Sequence, residues 1–338
     1  MAVTEYPWIS KGDEIGYRIE EVTEEARLAF LQTREEEESH PERYPEWFAR
    51  LGVKRENWSV VYERNAEIGE VDWASAVIAK NPSLLSKLRR GFGGLRRQRL
   101  RLLRKQETGD ELDLDAALMV MADIRNGKAP DPRVLLHSWP DYDRGFALSL
   151  LLDLSELMNR LDTFTGRPML ELSRELALLF AVAAIDLGLE VSLAGFQSQG
   201  RHLVDYQIAK RFEEPFDAVA KSRLAGFKGR YSTRMGTAIR HATKSLLGRG
   251  THNRAIVIVT DGEPSDIDVF DPDHLLLDAR DAVIEARRRR VQMFCVNIDP
   301  HADRYAKVVF GENRFLVLES LRNLPRLLPQ LFKYLGGC

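Results

Sequence analysis

The hydrophobic pattern of the chain changes character near residue 130. Before this point, charged stretches with helical spacing predominate. After it, short continuous apolar runs alternate with segments in which apolar residues recur every three or four positions. Such an alternation is typical of β-strands joined by α-helices. It predicts an α/β fold with a doubly wound, mainly parallel sheet in residues 131–338.

Within this second region, the runs "GFALSLLLD", "LEVSLAGFQS", "AIVIVT" and "VQMFCVNI" are predicted as buried strands. "HLVDYQIA" is predicted as an edge strand beside the second of them. Helices are predicted after Pro168, ending at Gly188, and after Thr233, ending at Gly248. "LLLDARDAVIEARRRR" and the last apolar segment are predicted to be helices too.

The first region, residues 1–130, is predicted to be a mostly helical N-terminal region. A long helix is expected from Trp73 to Gln106, kinked at the "GFGG" stretch, and its second half is basic and amphipathic. "DELDLDAALMVMADIRNG" is predicted to be a capped helix that ends at Gly127.

Composition and charge exclude several classes of protein. The 338 residues are 44% hydrophobic and 30% charged with a net charge of −2, which gives no general attraction to nucleic acid or to an anionic membrane. No run approaches 18 apolar residues, and the N-terminus lacks the apolar core of a signal peptide. Only Cys295 and Cys338 are present, so a disulfide framework is not expected. We expect a cytoplasmic protein that binds neither nucleic acid nor membrane.

Polar side chains follow the predicted strands where ligands bind in a parallel sheet, at the carboxyl ends. Asp153 and Ser155 follow the first strand, Asp261 follows "AIVIVT", and Thr233 directly precedes a helix. Carboxylate and hydroxyl oxygens without His or Cys suit Mg²⁺ better than Zn²⁺. The sequence therefore predicts a magnesium site, with Mn²⁺ as the alternative ion.

The stretches "DLSEL", "YSTRMG" and "VTDGEP" resemble the metal-ion-dependent adhesion site of von Willebrand factor A domains, which have a Rossmann-like fold. The resemblance implies that Asp153, Ser155 and Thr233 bind the cation directly or through water and that Asp261 does so through water. A position left open on the ion would accept a carboxylate from a partner protein. Leu157 stands where the family usually has a second serine. Either water replaces that ligand and binding weakens, or the leucine points inward and leaves the site dry.

Longer stretches, among them "STRMGTAIRHA", "NIDPHADRYAKVVFG" and "YPEW", are similar to the CbbO/NorD group of bacterial proteins. "GEPSDIDV" and "DPHADRY" resemble the CbbO branch more closely. That resemblance implies a non-enzymatic adaptor that links a target to a MoxR-type AAA+ ATPase, with Rubisco as the target. The alternative is the NorD branch, linked to maturation of nitric oxide reductase. Members usually have a long helical region upstream, so we expect this chain to be the C-terminal portion of such a protein.

An enzyme is the remaining alternative, namely a metal-dependent hydrolase that uses Asp153 as nucleophile or ligand. The sequence contains no G-x-x-x-x-G-K-[ST] phosphate loop and no G-x-S-x-G elbow. His241, on the helix after Thr233, is interpreted as a packing or capping histidine and not as a general base. These observations favour the adaptor.

Overall fold

The strands of the second region form the centre of a single large sheet. The computed structural model describes residues 41–97, 100–108, 111–140, 145–162, 165–251, 253–271, 273–299, 303–318, 320–321 and 323–335. Eight strands pair in the order β1-β2-β8-β7-β6-β9-β10-β11. They are β1 (Glu42–Phe48), β2 (Val53–Asn65), β6 (Phe146–Asp153), β7 (Glu190–Ser198), β8 (Val204–Lys210), β9 (Asn253–Thr260), β10 (Val291–Asn297) and β11 (Phe315–Val317). The central strands β7, β6, β9, β10 and β11 run parallel.

Helices cover both faces of this sheet because the central strands are apolar on both sides. In β6, Leu148, Leu150 and Leu152 pack on one face, whereas Ala147 and Leu151 pack on the other. The nine described helices are α1 (Trp73–Lys80), α2 (Pro82–Arg97), α3 (Leu114–Arg125), α4 (Met169–Ile185), α5 (Ala218–Ala225), α6 (Met235–Leu247), α7 (His274–Arg288), α8 (Asp303–Phe310) and α9 (Leu324–Leu335). The first face carries α1, α2, α4 and α9, and the second carries α6, α7 and α8. The predicted doubly wound, mainly parallel α/β fold is confirmed.

The first region contributes strands as well as helices, and two of these strands join the same sheet. Strand β2 pairs in parallel with β8, and β1 pairs antiparallel with β2. The stretch "WSVVY" combines β-branched and aromatic residues, which favour a strand. Residues 1–40 lie outside the described part of the chain, and the domain boundary at residue 130 remains a prediction.

Two further assignments differ from the sequence-based prediction. Strand β8 is an interior strand, since β2 covers the side that was expected to be an edge. The long helix predicted from Trp73 to Gln106 is two helices, α1 and α2, which are separated at Asn81 and not at the "GFGG" stretch, and β3 (Leu100–Gln106) follows α2. This strand belongs to a three-stranded antiparallel sheet with β4 (Glu111–Leu112) and β5 (Leu135–Pro140), in the order β3-β5-β4. The sequence "LRLLRKQ" satisfies a strand period as well as a helical one, and pairing with β5 decides between them.

The helix predicted to end at Gly127 is confirmed as α3. Asp113 caps its first turn by accepting a hydrogen bond from the backbone N–H of Ala116, and Gly127 has the positive φ of 68° that suits a helix end. Among the described helices, none combines the length and apolar composition that crossing a bilayer requires.

Candidate metal centre

The four predicted site residues lie at one edge of the sheet, where β6 and β9 end side by side. Asp153 is the last residue of β6, and Asp261 directly follows β9. Thr233 reaches the same place in the loop before α6, because its hydroxyl donates to Asp153 Oδ1 over 3.0 Å. Asp153, Ser155 and Thr233 are each at most 3% exposed. The structure therefore brings the predicted set together.

The Asp153 carboxylate accepts hydrogen bonds from hydroxyl and backbone groups. Its Oδ1 accepts from the backbone N–H of Ser155 over 2.8 Å, and its Oδ2 accepts from the Thr260 hydroxyl over 2.8 Å. Burial raises the pKa of Asp153 above its ordinary value, against the opposing effect of these hydrogen bonds. A buried carboxylate held by neutral donors is well placed to interact with a cation.

The pKa of Asp261 is raised as well. Burial, followed by repulsion from the Asp153 carboxylate, raises the pKa of Asp261 to about 7, and Asp299 contributes in the same direction. Carboxylates that raise each other's pKa are stabilised in their ionised form when a divalent cation binds between them. The local electrostatics thus fit a metal ion.

The hydroxyl of Ser155 is the strongest indication that a cation binds at this site. Its Oγ is buried and makes no hydrogen bond of normal geometry with any described residue, although it lies close enough to Asp153 to oppose the rise in the pKa of that carboxyl. Buried hydroxyls are normally satisfied, so an unsatisfied one beside a carboxylate calls for an explanation. A bound cation would accept a lone pair of this oxygen. The residues present therefore fit the ion that the sequence predicts.

The loop that holds Ser155 is fixed by backbone pairing with the loop that holds Thr233. The backbone N–H of Glu156 donates to the carbonyl of Tyr231, and that of Arg230 donates to the carbonyl of Leu154. Tyr231 has a φ of 58°, a left-handed conformation that is uncommon for an aromatic residue. Strain of this kind persists where the surrounding structure enforces it, often at functional sites.

Two glycines allow this close approach. A Cβ added at Gly195 in β7 would lie 2.4 Å from Leu154 Cδ1. A Cβ added at Gly229 would lie 2.9 Å from the carbonyl oxygen of Ser155. Both distances are shorter than van der Waals contact, so larger residues at either position would push the Asp153–Ser155 loop out of place.

The sequence-based search missed three polar residues at this edge. Thr260 donates to Asp153, Asp299 acts on Asp261, and Asn297 at the end of β10 accepts from the backbone N–H of Asp299. The rule that selected Asp153 and Asp261, a carboxylate directly after a buried strand, also selects Asp299 in "FCVNID". Applied to every strand, it would have found this residue.

The predicted ligands of the site are hydroxyls as well as carboxylates. No group of three or more His, Cys, Asp or Glu side chains that could hold a metal occurs in the described part of the chain. Two of the four predicted ligands are instead hydroxyls, those of Ser155 and Thr233. Few charged ligands and several exchangeable waters are what Mg²⁺ accepts.

Leu157 lies two residues beyond Ser155, on the 3-10 turn Glu156–Asn159, and is partly exposed, whereas Met158 beside it is buried. A leucine offers no oxygen, and its partial exposure leaves water free to take the ligand position of the usual serine. We expect Leu157→Ser to strengthen Mg²⁺ binding by about 10–100-fold, the range typical of lost supporting groups at metal sites. Isothermal titration of both proteins with Mg²⁺ measures the difference. Equal dissociation constants would show that position 157 does not contribute to the site.

A buried arginine follows Thr233 directly. The Arg234 side chain is 1% exposed, and its three nitrogens donate to Glu46 over 2.6 Å, to Asp266 over 3.0 Å and to Asp268. His274 binds the other oxygen of Glu46 over 2.6 Å. Burial raises the pKa of Glu46, but Arg234 and His274 outweigh this effect and lower it to about 2. This cluster joins β1, the loop after β9 and α7 to the candidate site, and sequence analysis did not predict it.

His241 is buried among side chains of the first two strands, as a packing histidine would be. Its Nε2 lies 3.0 Å from Glu63 Oε2, and its Nδ1 lies 2.9 Å from the hydroxyl of Tyr44, which in turn donates to Glu42. Burial lowers the pKa of His241, but hydrogen bonding that involves Glu42 and Glu63 outweighs burial and raises it. His241 thus connects α6 to β1 and β2.

The raised pKa of His241 predicts a pH-dependent contribution to stability. Protonated His241 stabilises the fold at pH values below its ordinary pKa of about 6.5, and this contribution is lost as the pH rises through the higher folded value. Relative to wild type, His241→Gln should lower the free energy of unfolding by about 1 kcal/mol at pH 5.5 and by less at pH 8.5. Urea unfolding at both pH values tests this, and an equal loss at the two would contradict it.

The sheet, the helices on its two faces and the oxygen-rich site at the ends of β6 and β9 define a von Willebrand factor type A domain. The model of that family matches residues 148–328, more than half of the chain, and the chain belongs to this family.

Two curated relatives show a closer relationship over most of the chain. Protein NorD of Brucella melitensis is 32% identical over 294 residues, which cover 87% of this chain and 46% of the relative. An uncharacterised protein of Pseudomonas aeruginosa is 36% identical over 264 residues, covering 77% of this chain and 43% of the relative. The chain therefore spans less than half the length of these relatives. Among solved structures, it is similar to the vWF domain of the pilus tip protein Mfa5 from Porphyromonas gingivalis, with a TM-score of 0.45, 8% identity, and coverage of 57% of this chain and 95% of that one.

Proposed function

We propose that this chain is a non-enzymatic adaptor that captures a carboxylate of a target protein through a divalent cation at the candidate metal centre. The observation that carries the proposal is the buried, unpartnered hydroxyl of Ser155 beside the ionisable pair Asp153 and Asp261. Asp153, Ser155 and Thr233 would hold the ion directly or through water, and Asp261 through water. When bound, the ion supplies an open coordination position that an Asp or Glu of the target can fill.

Mg²⁺ is the ion that we propose, with Mn²⁺ as the alternative. Both prefer oxygen ligands, and the site offers carboxylates and hydroxyls. The loops around the ion would be preorganised, because backbone pairing between residues 154–156 and 230–231 already fixes them. A preorganised site loses little entropy when the target binds.

Similarity to a protein named NorD favours the NorD branch over the CbbO branch that the motifs "GEPSDIDV" and "DPHADRY" indicate. We therefore propose a NorD-type role in the bacterial cytoplasm, in which the adaptor presents nitric oxide reductase to a MoxR-type AAA+ ATPase. Rubisco is the alternative target, because it is the one that the CbbO branch would require. Identity over most of this chain supports the NorD assignment more than short motifs do.

The groups around Asp153 support an adaptor and not a hydrolase. Its described hydrogen-bond donors are a backbone N–H and the hydroxyls of Thr233 and Thr260, which are poor general acids near neutral pH. Phosphoester hydrolysis by the purified chain that disappears in Asp153→Asn would overturn the adaptor proposal.

The direct test is binding of the immobilised chain to purified nitric oxide reductase, Rubisco and the MoxR-type ATPase, with Mg²⁺ and with EDTA. We expect the reductase to bind in Mg²⁺ and to dissociate in EDTA. We also expect Asp153→Asn to lose this binding and to retain the ATPase, which would contact another surface. Equal retention of the reductase by Asp153→Asn would show that the metal edge does not hold the target, and magnesium-dependent retention of Rubisco alone would favour the CbbO branch.

A further inference from the structure

A pocket of about 590 Å³ opens beside the candidate metal centre, between the β1–β2 turn and the segment that leads into α7. Phe48, Trp58 and Phe270 line it with aromatic surface. Two of its apolar residues lie largely in solvent, since Leu51 is 62% exposed and Phe270 is 72% exposed. Cavities of this volume lined mainly by apolar and aromatic side chains are typical binding sites, and exposed apolar residues around one indicate a partner.

The charges at the base of the pocket are paired with one another, although the three carboxylates that surround Arg234 leave an excess of negative charge. Arg234 is hydrogen-bonded at all three nitrogens to carboxylates, and Glu46 accepts from both Arg234 and His274. An anion would be repelled by this excess, and a cation would have to lose its water among carboxylates that already pair with Arg234. An uncharged apolar group would lose only contact with water. The base of the pocket therefore selects against ions and in favour of an apolar occupant.

Arginine side chains hold the aromatic walls in place. Arg55 lies over the ring of Phe48 at 3.9 Å and over that of Trp58 at 4.6 Å, and Arg201 lies over Trp58 at 4.0 Å. Cations stacked on ring faces fix the orientation of those rings. Walls of fixed aromatic rings favour another aromatic ring, which can pack edge-to-face or offset against them.

The pocket and the metal centre share one sheet edge and one chain segment. Strand β1 ends and β2 begins at the edge where β6 and β9 end, since β2 is parallel to β8 and β8 is antiparallel to β7. Thr233 belongs to the metal centre and pairs with Ser265 over 2.8 Å, while the next residue, Arg234, lines the pocket. One target segment can therefore reach both places.

We propose that this pocket is a second anchoring point for the target, and that it takes an uncharged aromatic side chain from the segment whose carboxylate binds the metal. The inference rests on the proposed function for the identity of the partner. It defines the target motif further, as an Asp or Glu and an aromatic residue exposed on the same face of the target.

The first test examines the pocket without any target. The probe is N-acetyl-4-fluorophenylalanine amide, an uncharged aromatic side chain whose binding broadens its ¹⁹F NMR signal. We expect binding to wild type and to Asp153→Asn, and at least about 5-fold weaker binding to Phe270→Ser, the loss typical of truncating an interface anchor. Leu118→Ser, which changes a leucine that is 65% exposed on α3, is the matched control and should bind like wild type. No binding to wild type, or equal binding to Phe270→Ser, overturns the proposal.

The second test measures binding of purified nitric oxide reductase in Mg²⁺ by biolayer interferometry. Phe270→Ser and Leu51→Ser are expected to weaken it about 5-fold or more while their affinity for Mg²⁺ stays unchanged. If Asp153→Asn abolishes target binding and the pocket variants do not alter it, the pocket proposal is wrong and the proposed function stands. If Asp153→Asn leaves target binding unchanged, the proposed function is wrong, and the fluorinated probe alone then decides for or against an aromatic-binding pocket.

Discussion

Arg234→Met is expected to lower the free energy of unfolding by about 3–5 kcal/mol, the usual loss when one partner of a buried ion pair is removed. The methionine fills much of the same space but leaves the carboxylates of Glu46, Asp266 and Asp268 without their shared cation. Glu46 is fully buried and Asp266 is 8% exposed, so water cannot replace the arginine. Urea unfolding at pH 7 measures the loss.

The pH dependence of this loss distinguishes lost charge pairing from lost packing. The folded pKa of Glu46, about 2, lies below its ordinary value, so its contribution to stability is present above about pH 4.5 and is lost as the pH falls toward 2. The difference between wild type and Arg234→Met should therefore shrink as the pH is lowered below about 4.5. A difference that stays constant down to pH 3 would point to packing alone.

Arg89→Met provides the matched control. Arg89 pairs with Asp186 over 2.5 Å, but the two side chains are 47% and 42% exposed. Exposed pairs contribute about 0–1 kcal/mol, so this variant should remain close to wild type. Similar losses in both variants would show that the burial of Arg234 is not what makes its ion pairs important.

The candidate site could be predicted from sequence because its residues follow directly from strand ends. A continuous apolar run identifies a buried parallel strand, the run ends at Asp153 or before Asp261, and parallel strands place their ends at one edge. The helix after Thr233 brings its first residues to the same edge. Each inference uses only the ten or so residues around the site, so no knowledge of distant contacts is needed.

The features that could not be predicted depend on contacts between distant parts of the chain. Glu46 and Arg234 are 188 positions apart, and nothing local in "YPEW" or "YSTRMG" indicates that they pair. Strand β8 has the pattern of an edge strand until β2, which precedes it by more than a hundred residues, is known to cover it. Likewise the stretch after Arg97 has leucines that suit both periods, and only β5 selects the strand.

Asp153→Asn is expected to abolish stabilisation by Mg²⁺ while leaving the metal-free fold intact. In wild type, a cation that binds only the folded state raises the free energy of unfolding by about 2.7 kcal/mol when its concentration is a hundred times the dissociation constant. The asparagine keeps an oxygen for the Ser155 N–H and the Thr233 hydroxyl but removes the charge that attracts the ion. Thermal unfolding of both proteins with Mg²⁺ and with EDTA measures the effect.

Comparing wild type and Asp153→Asn in EDTA makes this prediction more specific. If Asp153 served only to stabilise the fold, its replacement would lower the free energy of unfolding without metal, and we expect no such loss. Burial raises the pKa of Asp153, so its ionised form opposes folding above its ordinary pKa of about 3.9, and this effect grows as the pH rises. In EDTA at pH 7, Asp153→Asn should therefore be at least as stable as wild type, whereas Asp186→Asn at an exposed position should keep the full response to Mg²⁺. A variant that is less stable in EDTA and still gains stability from Mg²⁺ would mean that Asp153 serves the fold and that the ion binds elsewhere. Without a cation, the buried carboxylates of Asp153 and Asp261 repel each other. We therefore expect Asp153→Asn to be at least as stable as wild type in EDTA and to gain no stability from Mg²⁺.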